Sequence, residues 1–599
     1  MALFTPSASP AVSVKEIDLT GVVPNVQTST GAFVGNFGWG PASQTTLVSD
    51  ENGLVSTFGA PSDSDGSQTL DFHSAAYFLR YSNSLYVVRE VDSDAKNALA
   101  NHSSLSTLTA KQIKNLDDFE NTNLDSGDGV FLAKYPGKIG SSLLVSMVGT
   151  GDDSASDQDN AFNGWAYKSH FDGPTGTSAY AASHDASNDE VHIVVVDEDG
   201  GISGTAGTVL ETFPFLSVAT DAKNADGTSN YYKDVLKTQS QWIYAGVAHT
   251  AAGDSDAIAD FGGNSANNWN TATTKGTAKD FKSNQVFSAT ESTWSFHSGA
   301  STNSLTSGEI QTGFTKFNDV DNIEIDFLIP PLLANKTDAT AVVNDLVAIA
   351  EIRKDCVVCS SPDQTAVVTT GTNTAILETT NSYTKSSYLV QDNNFLKIYD
   401  KYNDKYIKIP ANSSTAGLMA ATDLVAAPWF SPAGARRGRY LGITDIVVSP
   451  TKAERDALYK AGVNPIANIP GEGVMLYGDK TNLARPSAFD RINVRRLFLA
   501  IERAIGIAGR NVMFEFNDEF TRAEFTNIVE PFLREIQGRR GITDFKVVCD
   551  TTNNTPAVID RNEFIASIFI KPARSINYVT LNFVAVRTGV EFEEVIGTV

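Results

Sequence analysis

A β-α-β rhythm that breaks off near residue 92 and resumes near residue 325 restricts the fold of this 599-residue chain more than any other feature. In the first part Gly31-Ala32-Phe33-Val34-Gly35 reads as a buried strand, Gly38-Trp39-Gly40-Pro41 as a turn and Leu47 to Phe58 as a short helical region. A helix over Leu70 to Tyr81 and a buried strand at Leu85-Tyr86-Val87-Val88-Arg89 follow. In the second part Ile323 to Ile329 reads as a strand closed by Pro330-Pro331. A helix from about Ala339 to Arg353 then leads into buried Cys356-Val357-Val358-Cys359. Short apolar strands alternating with helices imply a sheet covered on both faces. The economical inference is one discontinuous α/β domain, 21–92 plus 325–434, cut open by an insertion over 93–324. Asp, Asn, Ser, Thr and Gly crowd that insertion, as at Gly151 to Ser156 and Ala251 to Ala278, with short strands such as Val191 to Asp197 between. It reads as β-rich, loop-rich and outward-facing, of one or two subdomains.

The last quarter has its own pattern. Thr444 to Val448 reads as a strand, and Thr451 with Glu454 is a capping-box spacing that opens a helix. A second helix starts near Asn493 and carries Val494, Leu497, Phe498, Ile501 and Ile505 on one stripe; a third, from Thr521 with Glu524, carries Phe525, Ile528, Val529, Phe532, Leu533 and Ile536. Strands return at Asp544 to Cys549, Asn562 to Ile570 and Ile576 to Val586. Residues 435–586 therefore read as a small α+β domain, two or three helices on one face of a short mixed sheet, so the whole chain is α+β or mixed α/β and multidomain.

Both ends then alternate without an evident partner. At 1–20, Val12, Val14 and Ile17 share one face, and at 587–599, Val590, Phe592 and Val595 do. These segments read as arms that donate strands to neighbouring molecules through main-chain hydrogen bonds, the alternative being that they fold back on their own body.

Charge divides along the same lines. From Arg436 onward there are 22 Lys and Arg against 20 Asp and Glu, so the other 435 residues carry −26 of the net −24. That split suits a solvated, self-repelling side and a near-neutral side that packs against protein. No long basic patch with interleaved aromatics points to nucleic acid, and no run of about eighteen apolar residues points to a membrane span. Met1 to Pro6 lacks a basic n-region and an apolar h-region, so no secretory signal is expected. Three cysteines fit a reducing site of synthesis.

The candidate chemistries are thin. The Cys356-x-x-Cys359 pair has no second ligand pair, since Cys549 is alone and no histidine follows His297. Gly473 to Thr481 resembles a phosphate loop with one residue too many before Lys480, which moves the amine off the phosphates. Asp63-x-Asp65 and Asp197-Glu198-Asp199-Gly200 match no calcium loop and read as turns. No nucleophile, base and orienter assemble, so no enzymatic activity, cofactor or metal is expected.

The residues Pro470-Gly471-Glu472-Gly473, Gly478 and Thr481, followed by Asn493-Val494-Arg495-Arg496, resemble the PG-x-G-x-x-x-x-G-x-x-T and N-V-R-R patterns of contractile tail sheath proteins. Pro410 with Ala416-Gly417, Thr422-Asp423, Pro432-Ala433-Gly434 and Gly462-Val463-Asn464-Pro465-Ile466 are similar to further segments of that family, as are Tyr135-Pro136-Gly137, Leu210-Glu211 and the Pro10 to Ile17 arm. The resemblance is strong over 409–599, fair over 10–90 and thin in the insertion, and its extent is that of the larger sheaths of long contractile phage tails. It implies a virion structural subunit, assembled in the host cytoplasm. Such subunits stack as six-fold rings around an inner tail tube protein, between baseplate and tail terminator proteins. Terminal arms link them, and contraction drives the tube through the host envelope. Neither nucleic acid nor direct membrane insertion is implied. The inner-tube contacts would come from the helix bearing Arg495 and Arg496 or from the turn at Arg539 and Arg540. Runner-up readings are the sheath of a phage-derived contractile injection system and a surface-lattice protein.

Overall fold

The computed structural model describes residues 28–62, 66–100, 110–124, 129–149, 162–184, 189–246, 292–302 and 304–577. They fall into two compact units. The larger holds the described residues up to Ala427 together with Pro432–Ile492; the smaller holds Pro428–Ser431 and the described residues from Asn493 on. Residues 435–492, expected with the terminal domain, thus pack with the larger unit. The physical reason is their pairing: Val463–Asn464 adds a strand to the central sheet there.

That sheet has seven strands, in the order Val463–Asn464, Leu389–Asp392, Val357–Ser360, Phe327–Ile329, Gly31–Gly35, Leu85–Arg89 and Thr45–Val48. All neighbours are parallel except the last pair. Phe33 stands in register with Val87 on one side and Ile329 on the other, so the chain leaves the sheet after Leu85–Arg89 and returns beside Gly31–Gly35. Because side chains alternate along a strand, Ala32, Val34, Leu328 and Val358 pack against Val342, Val343 and Leu346 of the helix Lys336–Arg353. Asn335 caps that helix by accepting the Asp338 N–H, and Lys354, at φ +60°, ends it.

The inserted residues form a second seven-stranded sheet, antiparallel throughout, in the order Thr208–Ser217, Glu190–Asp197, Leu143–Gly149, Ser292–His297, Asn97–Ala100, Phe131–Pro136 and Ile243–Ala245. One side chain locks the two sheets together. Arg89 is fully buried at the end of a central strand and donates to three carbonyls: Phe37 O at 2.8 Å, Gly40 O at 2.7 Å and Pro136 O at 2.5 Å. Burial pulls its pKa down to about 9, which still leaves it charged near neutrality. Its third acceptor lies in the Tyr135-Pro136-Gly137 segment singled out in the sequence.

In the small unit, helices Ile492–Arg510 and Glu519–Gly538 pack on an antiparallel hairpin, Ile542–Val548 with Ser567–Pro572. Leu497, Ile501, Phe525, Val529, Leu533 and Ile536 form its core, each worth roughly 1.5–3 kcal/mol when fully buried. The third helix starts earlier than the Thr521 and Glu524 pair suggested. Asp518 is the cap, its carboxylate accepting the Thr521 N–H at 2.8 Å, and a charged oxygen at the positive helix end outcompetes the hydroxyl. Thr451 and Glu454 do form the expected capping box. The strand expected over Thr444 to Val448 is only Asp445–Ile446 long, and that over Asn562 to Ile570 shifts to Ser567–Pro572. Most of the strand expected over Ile576 to Val586 lies outside the described residues.

Two tests follow from the larger unit. Replacing Arg89 by Lys leaves three fixed carbonyls for one ammonium at a planar fork's position. It should cost about 2–4 kcal/mol, since a buried acceptor left unmet costs about 1–3, and thermal melting should register it; an unchanged melting temperature would be the contrary result. Asp392 is fully buried, and burial pushes its carboxyl up from 3.8 to about 7, although it accepts from Ser361 Oγ, Asn394 N and Thr415 Oγ1. A raised acid keeps its proton in the fold after the unfolded chain has lost it. Its stabilisation is therefore fully present below pH 3.8 and is lost as pH rises through about 7. Thr415 Oγ1 also lies 2.9 Å from Tyr440 Oη with either atom able to donate, so an amide at 392 can donate to Thr415 instead. Asp392→Asn should flatten the decline in melting temperature between about pH 4 and 7; a slope equal to the parent's would refute the assignment.

Candidate assembly surfaces

The chemical candidates that fall among the described residues have structural roles. Cys356 and Cys359 are not disulfide-bonded and are buried in and beside the Val357–Ser360 strand, and burial drives the Cys356 thiol well above its ordinary range. Lys480 Nζ donates to Tyr459 O at 2.8 Å and Thr481 Oγ1 to Phe489 O at 2.7 Å, so the phosphate-loop pair is spent on the chain itself. Asp197 accepts from Ser142 Oγ, Ile202 N and Ser203 N, closing a turn in which Gly200 has φ +78°. Asp63 and Asp65 lie outside the described residues. Among the described residues no group of three or more His, Cys, Asp or Glu side chains could hold a metal ion, and no helix is long and apolar enough to cross a membrane.

The Pro470 to Thr481 segment has a different explanation. Ile466–Ile469 pairs with Gly473–Leu476 as a hairpin whose turn needs Gly471 and Gly473, both at φ +85°. Behind it Asn464 accepts from Lys480 N at 2.8 Å and donates to Lys480 O and Gln391 O, and Asp479 pairs with Arg491 at 3.1 Å. The glycines and the Asn-Pro therefore shape a rigid connector in the larger unit.

What the small unit offers outward is apolar. A groove of about 1140 Å³ runs between the helix Ile492–Arg510 and the hairpin, lined by Phe498, Ile501, Ile505, Val512, Phe525 and Ile568 among others. At its rim Phe514 is 101% exposed and Phe516 is also exposed; elsewhere on the unit so are Phe520 and Phe569. The sequence reading passed over this. The sequence signal is the alternation of apolar Val512, Phe514 and Phe516 in the segment between the two helices. Among the described residues the hairpin strands pair only with each other, and a lone two-stranded ribbon is marginally stable in water.

The four singled-out arginines separate into two pairs. Arg495 and Arg496 are buried, at 7% and 5% exposure. Arg539 and Arg540 are exposed, beside the turn that ends Glu519–Gly538. There Trp429 Nε1 donates to Arg539 O at 3.1 Å, the Arg539 guanidinium stacks 5.0 Å above the Trp429 ring, and Glu535 lies 3.5 Å from Arg539. The arm residues Val12, Val14, Ile17, Val590, Phe592 and Val595 lie outside the described residues.

These features define a multipart α/β protein whose conspicuous surfaces are suited to packing against other protein. Two family models match it, the phage tail sheath protein central domain over residues 306–482 and the phage tail sheath C-terminal domain over 484–585. The tail sheath protein of Enterobacteria phage T4 is 33% identical, the alignment covering 98% of this chain and 99% of that protein. That of Vibrio phage KVP40 is 31% identical over 98% and 99% respectively. A solved sheath tail protein from Listeria innocua aligns with a TM-score of 0.49 at 11% identity, covering 91% of this chain and 96% of that one. The chain belongs to the phage tail sheath protein family.

The turn that presents Arg539 and Arg540 depends on close approach. A Cβ on Gly541 would lie 2.5 Å from Ile536 Cγ2 and 3.1 Å from the Trp429 ring. Gly541→Ala should therefore lower the melting temperature of the full chain by an amount corresponding to about 1–3 kcal/mol; a variant as stable as the parent would show that the ring yields freely.

Proposed function

We propose that this chain is the structural subunit of a contractile phage tail sheath: it polymerises around an inner tail tube and, on contraction, drives that tube through the host envelope. The observation that carries the reading is the match, from end to end, with the tail sheath proteins of T4 and KVP40. Its partners are copies of itself in stacked six-fold rings, the tube protein, and baseplate and terminator proteins at the ends; it works in the virion tail and is assembled in host cytoplasm.

Subunits are joined by their arms. The faces carrying Val12, Val14 and Ile17 at one end and Val590, Phe592 and Val595 at the other add as strands to a neighbour's hairpin, Ile542–Val548 with Ser567–Pro572, and cover its apolar groove. Each main-chain hydrogen bond so made contributes about 0.5–1.5 kcal/mol net, weak singly and decisive when repeated along a cylinder. Contact with the tube falls to the exposed Arg539 and Arg540 turn, since the burial of Arg495 and Arg496 within the small unit leaves them little surface to share.

Removing residues 1–18 or 587–599 and viewing the product by electron microscopy tests the linkage: single subunits or short rings are expected. Long intact tubes from both truncations would dismiss the arms. Charge reversal at Arg539 and Arg540 should leave tube-free polymers intact and weaken the extended form built on the inner tube; unaltered extended assembly would count against that contact.

A further inference from the structure

The hairpin Phe395–Asp400 with Lys405–Pro410 has a buried face and an open one. Inward, Leu396, Ile398 and Ile409 join Tyr77 and Tyr81 in a core cluster. Outward stand two cross-strand pairs, Lys397 opposite Lys408 and Tyr399 opposite Tyr406. The tyrosine rings meet edge to face at 5.6 Å while 48% and 61% exposed, and the Lys397 amine lies 5.3 Å from the Tyr406 ring. Lysines placed directly opposite on one face repel each other. Asp445 flanks Lys397 in register, yet neither lysine has an ion-pair partner among the described residues. Lys401, on the same hairpin, is already paired with Glu51 at 3.2 Å. Tyr399 Oη already donates to Asp404 at 2.6 Å, so what this face leaves unmet, in the part of the chain that carries the acidic excess, is the pair of like charges on Lys397 and Lys408.

The same unit presents such a partner at its other end. The turn from Asn318 to Glu324 exposes Asp319, Asp321 and Glu324 around half-exposed Val320. Arg353 holds it from behind, donating to the carbonyls of Phe317, Asp319 and Ile323 while paired with Asp355 at 2.7 Å. This turn leads into the start of the strand Phe327–Ile329, whereas the hairpin leaves from the end of Leu389–Asp392. The strands are parallel, so the two surfaces lie at opposite ends of one sheet. Two unlike, complementary patches on opposite ends of one body make a head-to-tail contact, the kind that propagates as a ring or helix.

We propose that the Lys397, Tyr399, Tyr406 and Lys408 face of one copy docks on the Asp319 to Glu324 turn of the next, a contact separate from the terminal arms. It rests on the sheath reading. The test uses the full chain, assembled into tubes. Lys397→Glu with Lys408→Glu, and separately Asp319→Lys with Asp321→Lys, should each raise the concentration needed for assembly at least about tenfold, equivalent to about 1.4 kcal/mol. All four changes in one chain should restore it substantially, and the melting temperature of the unassembled chain should not move. In parent tubes made from mixed isotopically light and heavy chains, a zero-length carbodiimide coupler should join Lys397 or Lys408 to Asp319, Asp321 or Glu324 across copies. Assembly at the parent concentration by both charge-reversed pairs, or coupling of these lysines only to other residues, would overturn the contact while leaving the sheath reading standing. Failure of the parent chain itself to form any polymer would remove both.

Discussion

The parallel pairing of Gly31–Gly35 with Leu85–Arg89 on one side and Phe327–Ile329 on the other is the constraint on which the larger unit depends. Its partners are far apart in sequence, so the whole second sheet must leave and return through one gap. Long-range parallel pairing costs loop-closure entropy before it is rewarded. The buried Arg89 offsets part of that cost, because one guanidinium satisfies carbonyls on both sides of the gap. A fully desolvated cation is tolerable only where its donors are met, and Phe37, Gly40 and Pro136 meet them. The inserted sheet is therefore held to the central one by a polar lock as well as by its apolar packing.

How much of this could be read from residues alone differs by region. The central strands were legible because a covered parallel sheet demands short apolar runs, as in Ala32-Phe33-Val34 and Cys356-Val357-Val358. The strand Val463–Asn464 was not, since two residues carry no period and its place comes from Asn464, whose amide bridges Gln391 and Lys480. That anchor also explains why the boundary of the units lies at Asn493 rather than near residue 435. Many hydrogen bonds inside the insertion run from Asp, Ser and Asn side chains, such as Asp189 with Ser178 and Ser217, which spacing does not reveal.

The candidate surfaces show the same divide. An arginine pair in a motif says nothing of accessibility. Arg495 and Arg496 sit within the helix Ile492–Arg510 and are buried, while Arg539 and Arg540 follow the helix Glu519–Gly538 and are exposed. Of the two pairs, only Arg539 and Arg540 have side-chain surface open to a partner. Conversely, the groove beside Phe514 and Phe516 needed coordinates, because exposed aromatics in a connecting segment are indistinguishable in sequence from core residues of a longer helix.

The hairpin of Ile542–Val548 and Ser567–Pro572 carries one more consequence. A ribbon of two described strands over an open apolar groove gains most from whatever covers it, so anything that binds the folded small unit pulls its folding equilibrium along by mass action. Heat resistance in such a molecule is then partly a collective property: dilute copies melt early, crowded ones late, and a subunit that never finds its place is the one most readily recycled by proteases.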